Sequence, residues 1–331
     1  MRILLVGEFA TGSLESSYAR AFGSLGIEVF YFFLPSSPRF FYPLNELVVR
    51  TRILGCLKKS SFDLIMVFKG NELNISTLQL MRQENKKAKI FCFLGDDPFA
   101  AENKESISKN VLKAIPYYDC YFIWANELIE PLYKAGAKQV QWLPFGFDAT
   151  MHHPISLTCV EMSQYACEVV FVGNWDVERQ RYLSSIIDFD LAIWGGRYWR
   201  SRCQDIRLRR CWRKKELYGE AMAKAFCASK VSLNIFRKQN KNNHNMRTFE
   251  APACAVFVLS ERSPGAMQFF EEDKEAVYFS SPEELREKLR FYLNNENKRI
   301  SIAKAGYQRC LRSGYSYIER AAKILNLLKQ Y

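Results

Sequence analysis

Four short stretches of this 331-residue sequence bring together side chains able to bind an anion or move a proton. In the richest, Arg237, Lys241, His244, Asn245 and Arg247 occupy a polar loop, and a helix beginning near Thr248 and Phe249 follows. A helix start offers unpaired N–H groups and arginine adds a planar fork of donors, a combination that suits a diphosphate. Glu250, in the first turn, either accepts hydrogen bonds from ribose hydroxyls, as acidic residues do in dinucleotide folds, or complements the helix dipole. In Leu94-Gly95-Asp96-Asp97-Pro98, at the end of an apolar run, a carboxylate can act as the base that takes a proton from a hydroxyl, with Asp97 ahead of Asp96. Asp-Pro also starts turns for purely structural reasons. Lys69, before Gly70 and Asn71, either binds acceptor or phosphate or is a solvated strand end. Lastly, Gly7-Glu8-Phe9-Ala10-Thr11-Gly12-Ser13 opens a helix. It can turn backbone N–H groups toward an anion or sugar hydroxyls, or be a plain turn with a cap. Gly12 is followed directly by Ser13 with no lysine, so this is not a P-loop, and no G-x-G-x-x-G occurs.

Alternating elements must position these groups. Short β-branched and aromatic runs at 3–6, 28–33, 64–68, 90–94 and 120–125 alternate with helical stretches at 13–25, 76–84 and 126–135. Such alternation predicts parallel strands with crossover helices. Ser13 is available as a helix cap and Gly26 as a stop. After an irregular segment at 144–166 the pattern restarts. Strands are expected at 168–172, 191–194, 231–235 and 256–259, and helices at 178–187, 215–228, from about 248, at 282–293 and at 296–310. Two α/β domains follow, 1–150 and 151–331, with a ligand expected in the cleft between them at the strands' carboxyl ends.

Composition narrows the class. With 48% hydrophobic and 25% charged residues the chain can bury a sizeable core. The net charge of +12 favours an anionic partner: a nucleotide, a nucleic acid or a membrane headgroup. Ten scattered cysteines without a C-x-x-C, and only three histidines, indicate neither a metal site nor a disulfide framework. Five apolar residues after Met1 are too few for a signal-peptide core. The apolar stretch 27–44 is interrupted by Glu28, Pro35, Pro38 and Arg39, so no membrane span is expected. The expectation is a cytoplasmic, reduced protein.

The sequence resembles the CgeB-like glycosyltransferases, a family named for a spore maturation protein. Asn245-x-Arg247-x-Phe249-Glu250-x-x-Ala253-Cys254, Phe269-Phe270 and Ser281-Pro282-Glu283-Glu284-Leu285 carry the resemblance. Gly173-Asn174-Trp175, Trp194-Gly195, Tyr218-Gly219, Ser232-Leu233-Asn234 and the stretch from Gly314 to Arg320 fall in the same order. Residues 63–70, Asp97-Pro98 and 143–148 extend it more weakly toward the amino end. The resemblance implies a GT-B-like α/β fold of two Rossmann-like domains facing each other across a cleft, the last helix crossing back to the first. It implies a nucleotide-diphosphate sugar as donor substrate, held by the carboxy-terminal domain through Gly173, Asn174, Lys241, Asn245, Arg247, Thr248, Phe249 and Glu250. The amino-terminal domain would hold the acceptor, with Glu8, Gly12 and Lys69 on the acceptor or phosphate side and Asp97 or Asp96 as base. Glu250 matches the ribose-binding glutamate of many GT-B enzymes. The glutamate that retaining members carry eight positions earlier is Asn242 here, and the family's A-C-G is Ala253-Cys254-Ala255, which loses glycine's backbone freedom. The implied enzyme needs no cofactor or metal, because Arg247, Lys241 and Arg237 can meet the charge on the departing diphosphate.

Residues 197–215 hold nine basic residues against Asp205, giving +8 of the +12, with Tyr198, Trp199 and Trp212 interleaved. This stretch is either a solvated helical face or a contact for anionic lipid beside a glycan, lipid-linked or protein acceptor. Nucleic acid is the less favoured partner. The alternatives to polysaccharide, glycolipid or protein glycosylation are therefore a DNA-modifying glycosyltransferase and a non-catalytic nucleotide- or nucleic-acid-binding module.

Overall fold

The computed structural model describes residues 1–34, 42–100, 107–240 and 242–331. These form two compact units, Met1–Pro144 with Tyr317–Tyr331, and Phe145–Ser316. The division falls at Pro144, six residues before 150, and the chain's last segment returns to the first unit.

The first unit runs β1 (Arg2–Gly7), α1 (Leu14–Ser24), β2 (Glu28–Phe33), α2 (Tyr42–Lys59), β3 (Leu64–Phe68), α3 (Ile75–Glu84), β4 (Lys89–Leu94), α4 (Lys109–Ala114), β5 (Cys120–Ile123), α5 (Ile129–Lys134) and β6 (Val140–Trp142). All six strands are parallel, in the order β2-β1-β3-β4-β5-β6. β3 and β5 are buried throughout, as strands covered by helices on both faces must be. Ser13 caps α1, its Oγ accepting the N–H of Ser16, and Gly26 follows at φ +73°. The helix α2 was not expected from the sequence. Its buried stripe of Val49, Ile53 and Leu57 has helical spacing but is embedded among β-branched and basic residues.

The second unit runs α6 (Cys159–Tyr165), β7 (Cys167–Val172), α7 (Val177–Ser184), β8 (Leu191–Trp194), α8 (Tyr198–Ser201), α9 (Ile206–Cys211), α10 (Gly219–Cys227), β9 (Ser229–Asn234), α11 (Arg247–Ala253), β10 (Phe257–Glu261), α12 (Pro264–Met267), β11 (Val277–Phe279), α13 (Pro282–Asn294) and α14 (Glu296–Arg312). Its parallel strands lie in the order β11-β10-β9-β7-β8. Alternate residues of β7 feed two cores: Val169 and Phe171 join Leu233, Leu259 and Trp199, while Val170 and Val172 join Met222, Phe226 and Val258. The final helix, α15 (Tyr317–Leu328), belongs to the first unit, where Tyr317 packs against Tyr18 of α1 with ring centroids 5.1 Å apart and the rings tilted by 50°.

Among the described residues no helix is long and apolar enough to cross a membrane. The nine basic residues of 197–215 are exposed. Their aromatic companions are not a lipid-facing set. Trp199 is fully buried with Nε1 donating to the Gly173 carbonyl at 2.9 Å, and half-buried Trp212 donates to the Gly195 carbonyl at 2.8 Å, which leaves only Tyr198 outside.

Candidate active site

In each sheet the first strand lies between the second and the third. The loops leaving the first and third strands therefore part to opposite faces and open a crevice, the place where parallel sheets bind ligands. In the second unit these are the loops after β7 and β9. Gly173 and Asn174 follow β7, and the backbones crowd there: a Cβ on Gly195 would lie 2.2 Å from the Gly173 carbonyl oxygen. Asn174 Oδ1 accepts the Gly196 N–H at 2.9 Å, so this side chain ties the β7 loop to the β8 loop. Beside it lies an open cavity of about 470 Å³ lined in part by Asn174, Gly196, Tyr198, Lys214 and Glu216.

Three guanidinium groups gather at this switch point. Arg179 in α7 is buried, donating from Nε to the Ile235 carbonyl at 3.0 Å and from Nη1 to that of Asn174 at 3.0 Å, so it bridges the two loops. Burial, reinforced by Arg237 and Arg247, pulls its pKa down to about 10. Arg247 opens α11 and reaches back to the Val172 carbonyl with Nε at 3.3 Å. Its Nη1 pairs with Glu250 Oε2. The other oxygen of Glu250, Oε1, lies 3.8 Å from His152 Nε2, and both residues are buried.

The remaining expected donor residues are placed as follows. Asn245 and Thr248 bond to each other and to the end of β9. Asn245 Oδ1 accepts the Thr248 N–H at 3.1 Å, Asn245 Nδ2 donates to Asn234 Oδ1 at 2.8 Å, and Asn234 Nδ2 donates to Thr248 Oγ1 at 3.3 Å. One N–H of the helix start is thereby used within the protein, so these two residues shape the loop that carries Arg247. Phe249 is fully buried among Phe269, Phe270, Tyr315 and His244, in an aromatic core. His244 is likewise core, its Nε2 accepting the Phe145 N–H at 3.2 Å. Lys241 lies outside the described residues.

In the first unit the crevice lies between the loops after β1 and β3. Glu8 is exposed in the first loop, and Gly12 takes φ +73° to bring Ser13 onto α1. Lys69 and Gly70 are both left-handed, at φ +63° and +75°, which strains the lysine but not the glycine and turns the chain sharply at the end of β3. Lys69 Nζ lies 3.8 Å from Asp96 Oδ2 beyond β4, and Asp97 Oδ1 accepts the Phe99 N–H at 2.8 Å, closing a turn. Two glutamates join this group. Glu15 packs against Gly7, and burial pushes its carboxyl up. Glu72, 5% exposed, is pushed up to about 7 by burial first and then by the Glu8 charge.

Sequence reasoning passed over Arg179, His152 and Glu72. Arg179 had a signal, since an arginine in a first helical turn opposes the helix dipole and so requires another partner. For His152 and Glu72 burial is the informative property, and spacing does not carry it. Among the described residues no group of three or more His, Cys, Asp or Glu side chains could hold a metal ion.

Residues 179–326 match the family model described as glycosyl transferase-like. Comparison with curated proteins gives no match. Among solved structures, sucrose-phosphate synthase from Thermosynechococcus elongatus is similar with a TM-score of 0.71 at 14% identity, over 100% of this chain and 98% of that chain. HepE from Anabaena in complex with UDP and glucose gives 0.68 at 14% over 100% of both chains. An alpha,alpha-trehalose 6-phosphate synthase from Burkholderia multivorans gives 0.63 at 11%, over 99% and 96%. The fold is that of the GT-B glycosyltransferases. With the glycosyl transferase-like match over residues 179–326, the protein is a glycosyltransferase.

Proposed function

We propose that the second unit holds the diphosphate of the donor among Arg179, Arg237 and Arg247, and that Glu250 receives the ribose hydroxyls. The observation that carries this reading is the gathering of three guanidinium groups at one switch point, close enough for Arg237 and Arg247 to depress the pKa of Arg179. A diphosphate can accept hydrogen bonds from such a cluster in bidentate form. In the reaction an acceptor hydroxyl oxygen bonds to the anomeric carbon as the carbon–oxygen bond to the diphosphate breaks. The electron pair leaves on the diphosphate, where the arginines meet the charge and a metal is not required. The hydroxyl proton passes to a carboxylate base. Asp97 and Asp96 stand at a strand end, and Glu72, pushed up to about 7, has the proton affinity better matched to neutral pH. Within the GT-B enzymes the CgeB-like branch is the reading we favour, on the motif residues 245–254 and 314–320, both inside the matched segment.

A panel of UDP, GDP, dTDP, CDP and ADP tests the donor site by thermal shift. The expected outcome is a raised midpoint with at least one diphosphate, UDP first because the Anabaena protein binds it, and its loss in Arg247→Ala. No shift with any of the five at saturating concentration sinks the reading.

The acceptor is proposed to be a glycan, lipid-linked or protein hydroxyl presented at an anionic membrane face, against which the exposed basic residues of 197–215 rest. Co-sedimentation with phosphatidylglycerol vesicles, lost when Arg207, Arg210 and Arg213 are replaced by Gln together, is the expected result. Equal sedimentation with neutral vesicles removes the idea.

A further inference from the structure

The environment of His152 gives this residue a task that the donor-site reading leaves unassigned. Its Nδ1 accepts the backbone N–H of Asp148 at 3.2 Å. A ring nitrogen that accepts carries no proton, so in the neutral imidazole the hydrogen is on Nε2. That N–H faces Glu250 Oε1 at 3.8 Å, with His152 4% and Glu250 2% exposed. The loop behind it is tied down: Asp148 Oδ1 accepts the Thr150 N–H at 3.0 Å and the Thr150 hydroxyl at 2.7 Å, and the His152 N–H returns to the Asp148 carbonyl at 2.7 Å. Glu250 therefore has two polar neighbours, Arg247 on Oε2 and His152 beside Oε1.

We propose that His152 is a positioning residue that keeps the Glu250 carboxylate aimed at the donor ribose once Arg247 turns to the diphosphate. The inference rests on the donor site proposed above. A guanidinium committed to a diphosphate cannot give its whole fork to a carboxylate as well, and a buried carboxylate that loses its partner is costly. His152 sits one small side-chain rotation from hydrogen-bonding distance and supplies the replacement donor. Recognition of the ribose hydroxyls then depends on the imidazole, although the imidazole touches no ligand.

Calorimetric titration with UDP and GDP, and with the 2′-deoxy form of whichever binds, tests this on the wild type, His152→Phe, His152→Gln and Glu250→Gln, each first checked for a folded transition. His152→Phe keeps the volume and removes the N–H. It is expected to weaken the ribonucleotide about tenfold and to lower the ribo-to-deoxy preference toward that of Glu250→Gln. His152→Gln, which carries an N–H near the Nε2 position, is expected to restore most of both. Should His152→Phe not fold, His152→Asn, too short to reach Oε1, replaces it with the same expectation. A folded His152→Phe or His152→Asn with wild-type affinity and preference, beside a Glu250→Gln that has lost them, overturns the role of His152 alone. If Glu250→Gln also keeps both, the donor site itself is wrong.

Discussion

Both units place their first strand between the second and third, so each opens a crevice of the same kind, yet the two crevices carry opposite charge. Beyond β1 and β3 stand Glu8, Glu72 and Lys69, with Glu15 behind Gly7; beyond β7 and β9 stand Arg179, Arg237 and Arg247. Burial and like-charged neighbours act together in both. They raise the carboxyls of Glu15 and Glu72 and lower Arg179. Topology thus supplies a position for a ligand, and the side chains decide which charge it takes. On the proposed reading, a nucleoside diphosphate is matched by the second crevice and a hydroxyl that must lose a proton by the first.

The sharpest way to break this contrast is to remove one cation from each side. Arg247→Ala is expected to cost roughly 2–5 kcal/mol of nucleotide affinity, because it removes a charged partner of the diphosphate. Lys69→Ala is expected to leave that affinity unchanged. Equal losses in the two variants, read by the same titration, would mean that the charge division does not sort the substrates.

A smaller effect tests the acidic side alone. Glu72 is pushed up from 4.5 to about 7. Between those values the folded protein holds a proton that the unfolded chain releases, so stability falls as pH rises from about 4.5 through about 7. The fall is up to about 3 kcal/mol. Glu72→Gln should flatten this slope in urea unfolding at pH 5 and pH 7.5. A variant whose slope matches the wild type would show that the residue is not a buried protonated acid.

The smallest effect compares helix ends. Gly26 ends α1 at φ +73°, whereas the matching position after α11 is Ala255 at φ +57°, a conformation that an L side chain resists. Ala255→Gly should stabilise the protein by about 1 kcal/mol, and Gly26→Ala should destabilise it by a similar amount. An unchanged melting midpoint in Ala255→Gly would count against the backbone strain. The position was visible in the sequence as the departure from A-C-G, and the left-handed backbone supplies its consequence.

The strands were legible because each is a short run of β-branched and aromatic residues closed by a polar turn. β2, β3 and β8 have the bounds that the sequence indicates, and the chemistry at their ends was legible with them. β6 and β11, three residues each, are too short for a pattern, and α2 hides its stripe among β-branched residues. Within the site, Arg247 and Glu250 could be read from their place at a helix start. Trp199 and Trp212 stand among basic residues in sequence, and their indole N–H groups hold the Gly173 and Gly195 carbonyls.

Sequence alone determined the alternation of strand and helix, and so the parallel sheets, the two crevices and the residue types at their rims. Periodicity and turn chemistry are local, and they act within a dozen residues. Tertiary structure decided which of those residues meet. It brings His152 to Glu250 across 98 positions, sets Arg179 under the carbonyl of Ile235, buries Phe249, and leaves Glu72 with Glu8 as a neighbour. Desolvation and Coulomb interaction depend on distance through space, and distance along the chain does not report it.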